Sequence, residues 1–374
     1  MKAFAKRLSA LLALLLLLSL ASGCIVYPAQ GTPTDGAATT HGSTLGTTPP
    51  VAEGSQFAVH FIDVGQADAI LVICDGKTML IDGGNVDDSN LIYSYLTKQS
   101  ITHLDCVICT HAHEDHVGGL SGALTKASAG KVYSPVTTYN SKAFSNFVSK
   151  VTERGLSLTL PKSGEQFMLG SASVTVLGPL KDYDDPNNTS IVTRVVYGET
   201  SFLFTGDMES LAETDLLDAG LVQKTTVLKV GHHGSSSSTS YRFLRQVQPT
   251  YAVISVGKDN SYGHPTESVL SRLRDADVTL YRTDLQGDIV CVSDGKTLTF
   301  TTARNSDIST NPTTGETGSK DSAATEYAYI GNLSSKKLHK TTCSSLPGES
   351  NRIYFITKEE ALALGYTACG ICKP

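Results

Sequence analysis

The chain lacks several features that would narrow its function at once. Its 374 residues include no tryptophan, and acidic side chains outnumber basic ones, which leaves a formal net charge of −6. Without a cationic excess, bulk charge does not attract nucleic acid or anionic membranes, so a polyanionic substrate needs local positive charge or a metal. No long apolar run follows the first 20 residues, which excludes a channel of several membrane-spanning helices within this sequence.

The N-terminus has the layout of an export signal. Cationic residues within the first seven positions precede an apolar run from Leu8 to Leu20, which is short for a membrane span. Small residues and then Cys24 follow, and this resembles a bacterial lipoprotein signal, although Ala21 stands where such signals usually carry leucine. We expect a lipoprotein-type signal peptide over residues 1–24 and an extracytoplasmic protein, anchored to the cell membrane by lipid or secreted. The alternatives are simple cleavage with release, and an uncleaved anchor.

Two segments of low apolar content divide the rest of the chain. Residues 25–55 and 303–326 are rich in Gly, Thr, Ser, Ala and Pro or in polar residues, and both are expected to be linkers, the first of them flexible. The length also favours two folded units, one large and one small. The predicted domains are therefore residues 56–302 and residues 327–374.

Within the larger domain, β-rich runs alternate with helical patterns. Strands are predicted at 57–62, 69–74, 79–82, 106–110, 174–177, 201–205, 227–230 and 252–256. Helices are predicted at 90–98, 142–154, 208–219 and 267–275, the last with Thr266 as its N-cap. This arrangement indicates a layered α/β domain.

One short segment carries the strongest chemical signal. Three histidines and an aspartate lie within six positions directly after an apolar strand: His111, His113, Asp115 and His116. Imidazole and carboxylate are ligands that Zn, Mn and Fe accept, and a loop that bends after a strand can turn them toward two adjacent metals. The alternative is a polar surface loop with incidental histidines, but the spacing and the following Gly118-Gly119 turn favour a metal site.

His-x-His-x-Asp-His after a strand resembles the signature of the metallo-β-lactamase superfamily. Further segments resemble the same superfamily at 61–70, 80–84, 204–207, 230–235 and 262–265, and the last two are similar to the extracellular hydrolase domain of ComEC-type competence proteins. The resemblance covers roughly residues 57–300. It implies an αββα four-layer sandwich, and it specifies the fold more closely than the substrate.

The resemblance also implies roles for individual residues. His111 and His113 would bind one divalent metal ion, Zn or Mn, while Asp115 and His116 would bind the second. Asp207 would bridge the two ions and His232 would complete the second site. If His232 and His233 lie on an extended segment, their side chains point to opposite faces, which favours His232 as the ligand and His233 as a neighbour of the ligands or a substrate contact.

Three further features of the site leave alternatives open. His264 is either a late metal ligand or a donor to the substrate phosphoryl group or the leaving group. No histidine occurs between His116 and Asp207, where the wider superfamily often has one, and Asn187 to Ser190 stand there instead. The first metal is then held by few ligands, or the site works with one metal. Asp63 and Asp82 either orient the metal-binding histidines or form turns.

The C-terminal unit has its own ligand pattern. His339, Cys343, Cys369 and Cys372 include a Cys-x-x-Cys pair, a spacing that binds structural zinc. The stretch resembles the zinc-binding module of the Ada DNA-repair protein, but His339 stands where that module has a cysteine, so methyl-acceptor chemistry does not carry over. The competing interpretation is a disulfide, since thiols outside the cytoplasm tend to oxidise.

Together these features predict a metal-dependent hydrolase outside the cytoplasm, a phosphodiesterase or nuclease that acts through a metal-bound hydroxide. Asp115 or Asp207 would orient the hydroxide, and His233 or His264 would assist the leaving group. The expected substrate is a phosphodiester, with DNA as the candidate that the ComEC-type resemblance implies. β-Lactams are disfavoured because the histidine pattern of lactam-cleaving members is missing. The alternative is a non-catalytic surface protein that binds nucleic acid or a partner through the zinc module.

Overall fold

The computed structural model describes residues 56–312, 329–332, 334–348, 351–355 and 358–374. The predicted signal peptide, the linker at 25–55 and residues 313–326 of the second linker lie outside the described residues. Residues 303–312, which were assigned to that linker, instead lie along the larger domain. Thr310 is buried and donates a hydrogen bond to the carbonyl of Leu280, and Arg304 pairs with Asp63 at 3.0 Å.

The larger domain contains two β-sheets. The first has eight strands, β1 (Phe57–Phe61), β2 (Ile70–Cys74), β3 (Lys77–Ile81), β4 (His103–Ile108), β5 (Ser128–Tyr133), β6 (Leu158–Thr159), β14 (Ile289–Ser293) and β15 (Leu298–Thr302), in the order β15-β14-β1-β2-β3-β4-β5-β6. The second has seven, β7 (Gln166–Leu169), β8 (Ala172–Gly178), β9 (Val192–Tyr197), β10 (Thr200–Phe204), β11 (Val227–Lys229), β12 (Tyr251–Ile254) and β13 (Thr279–Arg282), in the order β13-β12-β11-β10-β9-β8-β7.

Helices cover the outer face of each sheet. The larger domain has α1 (Ser89–Lys98), α2 (Glu114–Val117), α3 (Leu120–Lys126), α4 (Lys142–Glu153), α5 (Ser210–Asp218), α6 (Tyr241–Val247), α7 (Glu267–Asp275) and α8 (Thr283–Gln286). In α4, Ser141 accepts a hydrogen bond from the Phe144 backbone N–H, and the buried residues recur at helical spacing. Thr266 is the N-cap of α7 as predicted, but its hydroxyl bonds to the Gly234 carbonyl and does not cap the helix.

Three apolar cores confirm the predicted four-layer αββα sandwich. One core lies between the sheets and joins residues such as Phe57 and Phe202, whose ring centroids are 5.0 Å apart. A second lies between the first sheet and helices α1, α3 and α4, and a third between the second sheet and α5 to α7. The central part of each sheet is therefore buried on both faces, which explains why strands such as β2 are apolar throughout.

The C-terminal module is built on a four-stranded sheet and one helix. Its strands are β16 (Tyr329–Asn332), β17 (Lys337–Lys340), β18 (Arg352–Phe355) and β19 (Thr367–Ala368), in the order β18-β16-β17-β19, and its helix is α9 (Lys358–Ala363). A small apolar cluster that includes Leu338, Phe355 and Tyr366 fills the space between them. So small a core gains from an additional cross-link or metal.

Candidate metal centre

The carboxyl ends of three strands bring the predicted site residues together. The His111–His116 segment follows β4, Asp207 follows β10, and the His232-His233 pair follows β11. The first segment can turn sharply because the backbones of Gly83-Gly84 and Gly118-Gly119 approach each other without side chains between them. A Cβ at Gly119 would collide with the carbonyl oxygen of Gly83.

Four of the predicted residues form one compact group. The ligand atoms of Asp115, His116, Asp207 and His233 all lie within 4.8 Å of one another. Nε2 of His116 lies 3.3 Å from Asp207 Oδ2, and Nε2 of His233 lies 3.2 Å from Asp115 Oδ2. Two nitrogens and two carboxylates at this spacing have the donor chemistry of a borderline divalent ion such as zinc or manganese.

The electrostatics of the group fit a bound cation. Asp207 is buried, and its Oδ1 has no hydrogen-bond partner, so a carboxylate lone pair is left unsatisfied. Burial opposes ionisation, but His116 and His233 hold the pKa of Asp207 well below its usual range. Burial likewise disfavours a charged imidazole, yet Asp207, Asp68 and Asp115 raise the pKa of His233 to about 10. The site thus concentrates negative charge that a metal ion would neutralise.

Asp82 orients His116 from behind. Its Oδ2 lies 2.9 Å from His116 Nδ1 and accepts a 2.7 Å hydrogen bond from the Thr110 hydroxyl, while Oδ1 accepts one from the Thr110 N–H. A carboxylate on Nδ1 fixes the tautomer that leaves Nε2 free for a metal. Asp63 and Asp82 were each expected either to orient a histidine or to form a turn, and Asp82 orients His116. Asp63 accepts from Gly65 in a turn and pairs with Arg304.

Nδ1 of His233 faces the Ser255 carbonyl at 3.0 Å and a second carboxylate, that of Asp68, for which no role was predicted. Asp68 Oδ1 lies 3.3 Å from His233 Nδ1, and Asp68 Oδ2 lies 2.8 Å from Nζ of Lys229. Both side chains of this ion pair are essentially inaccessible. The available signal was a single charged residue within each of two apolar runs, since charged side chains are rarely buried without a partner.

His111 and His113 lie beside the four-residue group. Nε2 of His111 is 3.1 Å from Nδ1 of His113, and the two rings meet edge to face. His111 is fully buried, and burial together with His116 lowers its pKa well below the ordinary value. Within the described residues, neither histidine belongs to a group of three or more potential metal ligands. The structure thus places more ligands at the second predicted metal position than at the first.

The assumption of an extended segment at the histidine pair is wrong. His232 and His233 form a tight turn and both have left-handed backbone angles, with φ of 49° and 53°. Both side chains therefore reach the same cavity, and His233 is the one that joins the four-residue group. His232 instead directs Nδ1 toward Glu209 at 3.3 Å and holds Nε2 3.6 Å from Asp207 Oδ2.

The residues that replace the missing histidine support the site indirectly. Ser190 accepts a 3.1 Å hydrogen bond from the Asp207 N–H, and the Asn188 side chain accepts from the N–H groups of Glu209 and Ala212 at the start of α5. Asn187 faces the cavity. The segment thus positions Asp207 and the following helix.

The four-residue group of Asp115, His116, Asp207 and His233, which we call the metal group, opens into a cleft of about 350 Å³. Its lining consists of Gln66, His113, Glu114, Asp115, Asn187, Asp207, His232, His233, Tyr262 and His264. His264 lies outside the four-residue group, and burial together with His232 lowers its pKa to about 4. Its ring lies on the wall of the cleft, edge to face with that of His232 at 5.6 Å.

The four residues predicted to bind metal in the C-terminal module also converge. The ligand atoms of His339, Cys343, Cys369 and Cys372 lie within 4.8 Å of one another. Backbone N–H groups point at the sulfurs, that of Lys340 at Cys372 and that of Ile371 at Cys369. Hydrogen bonds from the Cys372 and Ile371 N–H groups lower the pKa of Cys369. One imidazole and three thiols suit a closed tetrahedral zinc site.

Comparison with known proteins agrees with both parts of the chain. Residues 62–258 match the model of the metallo-beta-lactamase superfamily, and residues 316–374 match that of the metal binding domain of Ada. ComE operon protein 3 of Bacillus subtilis (strain 168) is 31% identical over 63% of this chain, and competence protein ComA of Neisseria gonorrhoeae is 32% identical over 64% of it. The chain spans 33% of each of these curated relatives.

Among solved structures, the metallo-beta-lactamase fold protein YhfI from Bacillus subtilis aligns with 63% of this chain and 100% of its own, at 12% identity and a TM-score of 0.42. Among the described residues of our chain, no helix is both long and apolar enough to cross a membrane. The superfamily model matches more than half of the 374 residues. The chain therefore belongs to the metallo-beta-lactamase superfamily.

Proposed function

We propose that the protein is a metal-dependent phosphodiesterase or nuclease that acts outside the cytoplasm. The observation that carries this proposal is the group of Asp115, His116, Asp207 and His233, which faces an open cleft lined by further polar side chains. The resemblance to ComEC-type competence proteins implies DNA as the substrate class. The lipoprotein-type signal over residues 1–24 supports the location.

In this proposal Asp115, His116, Asp207 and His233 hold one divalent ion. His111 and His113 would help to hold a second, to which Asp207 would also contribute. When bound, such ions supply Lewis acidity that polarises a phosphoryl oxygen and acidifies a water molecule. The Nε2 atoms of His116 and His233 would stay directed at the ions, because Nδ1 of His116 faces Asp82 and Nδ1 of His233 faces the Ser255 carbonyl at 3.0 Å with Asp68 beside it at 3.3 Å.

The other cleft residues would handle the substrate. Burial opposes a charged ring, but Glu209 at Nδ1 and Asp207 raise the pKa of His232, and the protonated ring can donate from Nε2 to a phosphoryl oxygen in the cleft. His264 and Asn187 line the same cleft and offer further polar contacts. These groups would orient the diester and exclude bulk water while Asp115 and Asp207 direct the attacking water. The C-terminal module would bind one structural zinc through His339 and three cysteines.

The test is metal content and turnover of the full chain purified in detergent. We expect two or three transition-metal ions per chain, and hydrolysis of bis(p-nitrophenyl) phosphate and of linear DNA. Asp207→Ala should abolish both reactions, whereas Asp218→Ala, at an exposed aspartate paired with Arg242, should change neither. Metal confined to the C-terminal module without turnover would contradict the proposal and favour a surface-binding protein.

A further inference from the structure

Tyr262 is an unusual member of the cleft lining. It is 71% exposed, the most exposed of the large apolar side chains within the described part of the chain. The other lining residues are polar or charged, and none is lysine or arginine. Tyr262 is therefore the one large apolar surface that the lining offers to a planar group of the substrate.

The loop that carries Tyr262 is held in place by Asn260. The Asn260 side-chain oxygen accepts hydrogen bonds from the N–H groups of Tyr262 at 3.1 Å and His264 at 3.0 Å. Its amide nitrogen donates to the carbonyls of Gly257 and His264. Hydrogen bonds to Asn260 thus hold both the N–H and the carbonyl groups of this turn, which reduces the conformational entropy that the loop would lose when a ligand binds.

One face of the tyrosine ring already has a stacking partner. The rings of Tyr262 and His264 are 5.7 Å apart and 25° from parallel. His264 in turn meets His232 edge to face at 5.6 Å, and His232 lies 6.1 Å from His233 of the metal group. Three ring contacts therefore connect the metal group to Tyr262, and the high exposure of Tyr262 leaves much of its ring open to a further planar group.

We propose that Tyr262 stacks on an unpaired nucleobase of the substrate strand near the scissile phosphodiester. This inference rests on the proposed phosphodiesterase function and specifies its substrate as single-stranded nucleic acid. The lining offers no lysine or arginine for the phosphates and the net charge is −6, so affinity for a strand must come from other contacts. Aromatic stacking supplies such affinity without sequence preference. In a duplex the base faces are stacked on each other and unavailable to Tyr262.

The test uses the full chain and a single-stranded DNA oligonucleotide, with KM and kcat measured separately. Tyr262→Ala should raise KM about tenfold, because the stacking contribution of one aromatic ring is lost, and leave kcat within about twofold. Tyr262→Phe should retain the wild-type KM because the ring is kept. Tyr93→Ala is the matched control, since Tyr93 is also exposed but lies on α1 away from the cleft.

An oligonucleotide with abasic positions separates stacking from other effects. On the abasic strand the wild type should have the same high KM that Tyr262→Ala has on normal DNA, and Tyr262→Ala should raise the KM for the abasic strand no further. Three results would overturn the inference while the proposed function stands. The first is an unchanged KM for Tyr262→Ala on normal DNA, and the second is that Tyr262→Ala raises KM as much on the abasic strand as on normal DNA. The third is a KM for Tyr262→Phe as high as that for Tyr262→Ala. A wild type that cleaves neither DNA nor a small diester overturns both.

Discussion

Lys229 and Asp68 form an ion pair inside the protein, with Nζ and Oδ2 separated by 2.8 Å and neither side chain more than 2% exposed. Burial opposes ionisation of the carboxyl group, but Lys229 and His233 lower the pKa of Asp68 to about 2, so it stays charged at neutral pH. The free oxygen of Asp68 faces His233 at 3.3 Å. One buried pair thus links the core of the second sheet to the metal group.

Removal of the cation from this pair should destabilise the fold. Lys229→Met leaves the Asp68 charge buried without its main partner, and we expect the free energy of unfolding to fall by about 3–5 kcal/mol in urea titrations. The double variant Lys229→Met with Asp68→Leu should recover much of that loss but bind metal less tightly, because the negative charge of Asp68 beside Nδ1 of His233 is then missing. A single variant as stable as wild type would contradict this account.

Asp82→Asn tests whether the carboxylate behind His116 acts on the metal. The change keeps the shape of the side chain but removes the charge that fixes the His116 tautomer. Affinity for zinc, measured by competition with a chelator, should fall about 10–100-fold. Asp63→Asn is the matched control, because Asp63 also ends a strand but pairs with Arg304. Equal metal affinity in both variants would exclude an orienting role for Asp82.

Asp75 should contribute stability that depends on pH. The Ser171 hydroxyl and the N–H groups of Ser171 and Gln56 donate to it, and they lower its pKa from 3.8 to about 2. Since the folded pKa is the lower one, the contribution is complete above about pH 4 and is lost as the pH falls toward 2.

The corresponding variant is Asp75→Asn. Because Asp75 is exposed, the loss of unfolding free energy at pH 7 should be less than about 1 kcal/mol, and the difference from wild type should shrink between pH 4 and pH 2. Urea unfolding at a series of pH values measures both. Asp184→Asn, at another exposed aspartate, provides the comparison. A difference that stays constant down to pH 2 would rule out the linkage.

Zinc content and intact mass can decide whether the group of His339, Cys343, Cys369 and Cys372 binds zinc or forms a disulfide. His339→Ala should remove one zinc per chain in elemental analysis and lower the melting temperature of the module, while turnover of a small diester stays unchanged. Lys337→Ala, at an exposed neighbour on the same strand, should retain the zinc. Intact mass under non-reducing conditions that is two daltons low, with no zinc bound, would establish the disulfide instead.

Local patterns were enough to predict much of this protein. The eight expected strands and four expected helices all occur, with ends that shift by a few residues. Further strands such as β5 and β15 contain several exposed positions and give no continuous apolar run. Strand ends move because hydrogen bonding to the neighbouring strand decides them, and that neighbour is distant in sequence.

The sequence by itself determined the superfamily, the segment from His111 to His116, and the four residues that converge in the C-terminal module. The segment and each half of the C-terminal set, His339 with Cys343 and Cys369 with Cys372, are closely spaced along the chain, so the backbone cannot separate their members widely. Only the tertiary structure decided that His233 joins the metal group, that Lys229 neutralises Asp68, and that Tyr262 is left uncovered. Those outcomes depend on a left-handed turn and on contacts between residues more than 100 positions apart, such as Asp115 and His233. Packing of two sheets sets such distances, and no local pattern encodes them.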